Sequence, residues 1–292
     1  MALAEPFVGP VPVARGRQRS TTLIPAFKRV SILDRVALGG AVGITVLAVV
    51  TPWIAPYDPS KPAGATYLPP GQGFLLGTDE VGRDMLTRLL YGMRTSWFAA
   101  LLVIAIGVLI GGLIGLVAGA CGGWVDTVLM RITDLFLALP GPVLAIAVVA
   151  ALGPSLRNTL IAVSIVWWPF YARIVRGEIW SMRSRPHLEA ARLAGVGPVR
   201  RAWRHLLPGA VPSTVVTASL DVGNLILTLA GLSFLGLGAP APAPELGAMA
   251  ARGLPQLLEH WWIPVLPGVA VFLLAFVANL AGDGLRDLMG DR

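Results

Sequence analysis

Three short stretches in this strongly apolar chain hold carboxylates or amides close enough to act together. Asp79, Glu80 and Asp84 lie within one hexapeptide, and three oxygen ligands so close would suit a divalent cation. Arg83 and Arg88 are near enough to neutralise them, so the spacing favours a structural ion-pair cluster and assigns no metal. Asp79 and Glu80 fit the first turn of a helix, where the macrodipole favours negative charge, with Leu86 and Leu90 as its buried edge. Glu189 stands on a polar loop that holds six arginines and two histidines between Ser181 and Pro208. Thr217, Asp221, Asn224 and Thr228 recur at spacings of four, three and four, so one helix face carries them all. An ionised aspartate is costly in hydrocarbon. That face therefore looks into the bundle, a partner subunit or a wet cavity. Bordering a translocation path and sealing a hydrogen-bonded helix interface are both open to it.

Other chemistry finds no residues to carry it. His187 and His205 lie on the inner side and His260 on the outer, so the three cannot converge on a metal, and no nucleophile stands beside a base. A phosphate-binding loop ends in Gly-Lys-Ser or Gly-Lys-Thr, whereas the two lysines, Lys28 and Lys61, follow Phe27 and Ser60. The sequence thus calls for no cofactor, and any ATP would be hydrolysed by another chain. Cys121 is the lone cysteine, which excludes an internal disulfide, and it is expected to pack as a small apolar residue.

The elements that position these residues are membrane spans. Over 292 residues, 55% are hydrophobic, 13% are charged and mean hydropathy is +0.72, values too apolar for a soluble domain. About twenty helical residues cross a bilayer, and six segments qualify, near 33–54, 96–120, 129–151, 158–178, 211–236 and 261–281. The fold class is an all-α polytopic membrane protein. Residues 1–30, rich in Pro, Ala and Arg, read as a disordered cytoplasmic tail with no cleavable signal pattern. Residues 31–95 hold the first span and an external segment, and 96–292 the main transmembrane domain. With both termini cytoplasmic, the outer side keeps Lys61, Arg83, Arg88, Arg94, Arg157 and Arg252, and the remainder of the 23 arginines and lysines fall inside. That bias sets the orientation and explains the +7 net charge without nucleic acid.

Three features of the spans bear on movement. Gly107, Gly111, Gly115 and Gly119 form a stripe that lets another helix approach closely. Pro140-Gly141-Pro142 in the third span and Pro169 in the fourth should kink or break their helices, either to open a polar passage or as static bends. The Glu189 loop, 181–208, reads as two short helices. Pro186 starts the first and Gly195 ends it; Pro198 opens the second, which closes near Leu206 ahead of Pro208. Val199, Trp203 and Leu206 should form an apolar back. Ala190, Ala191 and Ala194 leave a bare ridge beside Glu189, suited to a groove on another protein or, as an ordinary basic loop, to anionic lipid.

Glu189-Ala190-Ala191, then Gly195, then Leu207-Pro208 resembles the loop signature of the membrane subunits of ABC importers. Arg204-His205-Leu206-Leu207-Pro208 is similar to the form common in the peptide-transporter branch. The stretch from Leu76 to Gly92, the Gly231-Leu232-Ser233-Phe234-Leu235-Gly236 run, the proline-rich 240–247 and the closing Asn279–Asp287 each look like segments of the second membrane subunit of dipeptide and oligopeptide importers. Ala241 and Leu246 depart from the residues usual there. The resemblance covers roughly residues 30–292 and implies the type I ABC importer transmembrane fold. It also implies a permease subunit of the bacterial plasma membrane that forms half of a path for di- or oligopeptides, with nickel and haem importers among its relatives. Glu189, Ala190, Ala191, Gly195, Leu207 and Pro208 would couple it to the ATPases, through a loop between the fourth and fifth spans. The implied partners are a homologous permease, two ATPase subunits, an extracytoplasmic substrate-binding protein and the lipid bilayer. The competing class is an ion-coupled secondary transporter working through Asp221.

Overall fold

Long apolar runs become long helices because the chain must satisfy its backbone internally wherever water is absent. The computed structural model describes residues 32–290, so the expected disordered tail over 1–30 lies outside the described residues. The principal helices are α1 (Ile32–Ile54), α2 (Met85–Cys121), α3 (Gly123–Leu137), α4 (Gly141–Leu152), α5 (Leu156–Met182), α6 (Pro186–Leu193), α7 (Pro198–Arg201), α8 (Leu207–Phe234), α9 (Leu246–Gly253) and α10 (Trp262–Gly290). Among the described residues, five helices are long and apolar enough to cross a membrane. The pair α3 and α4, bent by 84° at Pro140, makes a sixth when taken as one broken span.

Glycine decides how the spans pack. A Cβ at Gly111 or Gly115 would run into the carbonyl oxygens of Trp168 and Ala172, and one at Gly107 or Gly119 into Tyr171 and Ile179. The glycine stripe of α2 therefore presses directly on the backbone of α5. A second close approach joins α8 to α10, where Gly223 faces Asn279 and Gly282 faces the backbone of Leu220. Buried Val103, Val163, Leu225, Ile226 and Leu274 fill the core between these pairs.

Several local expectations are corrected. Helix α2 begins at Met85, about a dozen residues before the expected start of that span, because Asp84 caps it: its Oδ2 accepts from the Thr87 amide at 2.8 Å and the Thr87 hydroxyl at 2.6 Å. Asp79 and Glu80 thus precede the helix, and Met85 and Leu89, not Leu86 and Leu90, turn fully inward. Pro169 does not break its helix; α5 is continuous around it, since one lost backbone bond is tolerated where the surrounding bundle holds the rod. Helix α7 does not stop before Pro208. It passes through a π turn, Ala202–Leu206, into α8, with the Leu207 amide donating to the carbonyl of Ala202. The wider turn shifts the carbonyl that the proline ring would otherwise strike. Cys121 is exposed at the end of α2 rather than packed.

On the side of the bundle where α2 begins, residues 55–84 and 237–261 fold together. Arg88, 2% exposed, donates through Nη1 to the carbonyls of Pro59 at 2.7 Å and Pro242 at 3.1 Å, and its Nε lies 3.4 Å from Asp79. Arg83 pairs with the same carboxylate at 2.6 Å and with Glu80 at 3.0 Å. The acidic trio is thus occupied by arginines and by a helix cap. The Trp262 indole donates to the Thr78 carbonyl, and His260 stacks on Tyr67. Glu245 caps α9 by accepting from the amides of Gly247 and Ala248. Burial pushes its carboxyl above the usual glutamate range, and those hydrogen bonds pull it back.

Candidate functional site

Glu189 sits in the first turn of α6, a short helix that Pro186 can open without losing a needed donor. Gly195 closes the helix at φ +76°, a left-handed conformation that side chains disfavour. Leu188 fastens the helix to the bundle, packing with Leu116, Ile179, Met182, Ala202, Leu206 and Ala210. With Leu188 pointing in, Glu189, Ala190 and Ala194 point out and Ala191 is half-buried. The signature residues separate into two groups. Glu189, Ala190, Ala191 and Gly195 make a ridge, while Leu207 and Pro208 stand at the entry to α8.

The expected apolar back of the second loop helix is only partly buried. Leu206 is inside, but Val199 is 72% and Trp203 54% exposed, and Leu193 on the first helix is 89% exposed. Three large apolar side chains are therefore exposed on the same loop as the Glu189 ridge. Beside it a polar cleft is lined by Arg183, Glu189, Pro198 and Arg201. The loop is braced from the side of α3, where Arg176 grips Asp126 through two hydrogen bonds, 2.9 and 2.7 Å, and Arg173 pairs with Asp134. Arg176 and Arg183 also flank the Trp180 ring at 4.7 and 5.7 Å.

Inside the bundle the four residues of the α8 face behave differently from one another. Thr217 donates to the carbonyl of Ser213 at 2.9 Å and Thr228 to that of Asn224 at 2.8 Å. Both hydroxyls are spent on their own helix. Asp221 is buried, and its Oδ2 accepts from the indole of Trp167 and, at 3.1 Å, from the hydroxyl of Tyr171, while the Asn224 amide lies 3.5 Å from Oδ1. Asn224 itself is exposed. Trp167 and Tyr171 were not singled out from the sequence, though their spacing of four places both polar-tipped rings on one face of α5.

The chain matches the family described as binding-protein-dependent transport system inner membrane component over residues 111–292. The chain belongs to this family. A probable D,D-dipeptide transport system permease protein of Escherichia coli (strain K12), DdpC, is 43% identical over 84% of this chain and 82% of its own length. The di/tripeptide transport system permease protein DppC of Pseudomonas aeruginosa (strain UCBPP-PA14) is 41% identical over 87% of each. Among solved structures, an inward-facing conformation of the MetNI methionine ABC transporter superposes with a TM-score of 0.57 at 20% identity, covering 70% of this chain and 97% of that one. This likeness establishes the type I importer fold.

As an inner membrane component of a binding-protein-dependent system, the chain is a permease subunit, and its similar proteins are transport subunits. The ion-coupled carrier reading of Asp221 finds no support in this kinship. The carboxylate is instead held by donors from the neighbouring helix.

Proposed function

We propose that this chain is one of two homologous permeases in an ATP-driven importer of di- or oligopeptides, coupled to two cytoplasmic ATPase subunits through the Glu189 loop and fed by an extracytoplasmic binding protein. The peptide assignment rests on the relatives named for dipeptide and di/tripeptide transport. The observation that carries the coupling role is the exposure of Leu193, Val199 and Trp203 on the loop that bears Glu189, whose second helix runs without a break into α8. Large exposed apolar side chains on the same loop as a carboxylate suit a protein groove better than a headgroup layer. Both termini, the α2–α3 junction and the Glu189 loop face the cytoplasm in this reading, an orientation that the arginine distribution supports.

Movement would enter at the ridge of Glu189, Ala190, Ala191 and Gly195 and leave through Leu207 and Pro208 into α8. Within the membrane, Asn224 and the open side of Thr217 and Thr228 border the path. Asp221 fastens that wall to Trp167 and Tyr171 behind it. Asp221→Ala is then expected to alter uptake kinetics. Normal kinetics with weakened subunit assembly would reduce this face to a helix interface.

Affinity purification of the chain from its native membranes in mild detergent tests the assembly. Recovery of a sister permease, ATPase subunits and a binding protein is expected, and the binding protein then reports the substrate. A chain recovered alone or only with copies of itself would overturn the proposal.

A further inference from the structure

Neither the Glu189 loop nor the Asp221 face accounts for a groove of about 620 Å³ on the membrane flank of α2 and α5. Its walls are Ile106 and Ile110 of α2 and Ile161, Ile165 and Trp168 of α5, and Arg157 stands at its mouth. We infer that this groove holds an acyl chain of an anionic glycerophospholipid whose phosphate is held by Arg157.

Length supports this occupant. From Leu156 to Trp168 the groove follows α5 for about 18 Å at the helical rise, close to one leaflet of a hydrocarbon layer about 30 Å thick. Arg157, in the first turn of α5 beside the 152–155 turn, then lies at headgroup depth and Trp168 near the midplane. Charge agrees with length. The Arg157 guanidinium is exposed and makes no ion pair among the described residues, so the cation at the mouth is available to a phosphate.

Wall chemistry separates a lipid from the other occupants. Where this chain packs helix on helix most closely, it does so through glycine, as along Gly107, Gly111, Gly115 and Gly119; the groove instead presents branched aliphatic side chains. A peptide in transit would bring backbone donors and acceptors. The groove offers it one hydroxyl, Ser164, whose oxygen is itself buried without a partner. An alkyl chain brings no polar group of its own to be left unsatisfied there.

Native mass spectrometry of the intact purified complex, delipidated and then titrated with phosphatidylglycerol or phosphatidylcholine, reads the site directly. Arg157→Gln should lower retained phosphatidylglycerol about five-fold, the loss of one cation–headgroup contact, with phosphatidylcholine, whose choline cation already offsets its phosphate, lowered less and Arg157→Lys restoring retention. Ile161→Trp, which fills the groove, should reduce both lipids while the complex still assembles. Glycerol phosphate alone should not compete, because the acyl chain supplies the rest of the binding. Wild-type retention in both variants would overturn the inference. So would a cross-link from Ile161→Cys to a second membrane chain, which would place a protein helix in the groove.

Discussion

Where residues 55–84 meet 237–261, the chain spends its charges on itself: Arg83 and Arg88 are buried against Asp79, Glu80 and two backbone carbonyls. At the other end of the bundle, residues 183–206 leave Glu189, Leu193, Val199 and Trp203 facing outward. Both regions use arginine, yet in the first Arg83 and Arg88 are paired within this chain, whereas in the second Leu193, Val199 and Trp203 stay uncovered by it. Arginine content alone does not distinguish a structural clasp from a docking surface. What differs between the two ends is whether the apolar side chains beside the arginines are covered.

That contrast can be broken most severely at Arg88. Arg88→Ala strands two carbonyls and part of a buried carboxylate, a loss of about 3–5 kcal/mol, and the amount of chain recovered from membranes should fall sharply. A substitution as mild as an exposed leucine's would erase the distinction between the two ends. Glu189→Arg should do the reverse, leaving the chain in the membrane at its normal level but abolishing ATP-driven uptake; unchanged uptake would count decisively against the coupling role. Trp203→Ala sharpens the contrast further. It should move the chain's own unfolding by no more than about 0.5 kcal/mol and weaken co-purification of the ATPases by about 2 kcal/mol, the scale of an interface anchor.

The smallest effect concerns Glu245. A carboxyl whose folded pKa is raised stabilises the fold most at pH below its ordinary value of 4.5, and that contribution is lost as pH rises through the folded value. Thermal unfolding of the complex should therefore show a modest decline from acidic to neutral pH that Glu245→Gln flattens.

Much of this was legible in the chain itself, for identifiable reasons. The glycine stripe of α2 was readable because a missing side chain every four residues has one geometric consequence, close approach, although α5 as the partner was not. The Glu189 ridge was readable because proline and glycine punctuate it. Asp221 was visible as a costly charge, but its donors Trp167 and Tyr171 lie some fifty residues away in sequence, and only tertiary packing brings them to it. Pro208 and Pro169 misled because a proline's local preference can be absorbed, by a π turn in one case and by surrounding helices in the other. The burial of Met85 and Leu89 was missed for want of recognising Asp84 as a cap, which set the helix start and so its phase.

The uninterrupted run from Pro198 to Phe234, 37 residues, is about 55 Å at the helical rise and, in the coupling proposed above, would act as a single lever arm. A stiff rod transmits displacement without loss, so its compliance is concentrated where its winding is irregular, in the π turn at Ala202–Leu206. In that coupling, the stroke delivered to the far face of the membrane would be set by how far that turn yields before the rod tilts.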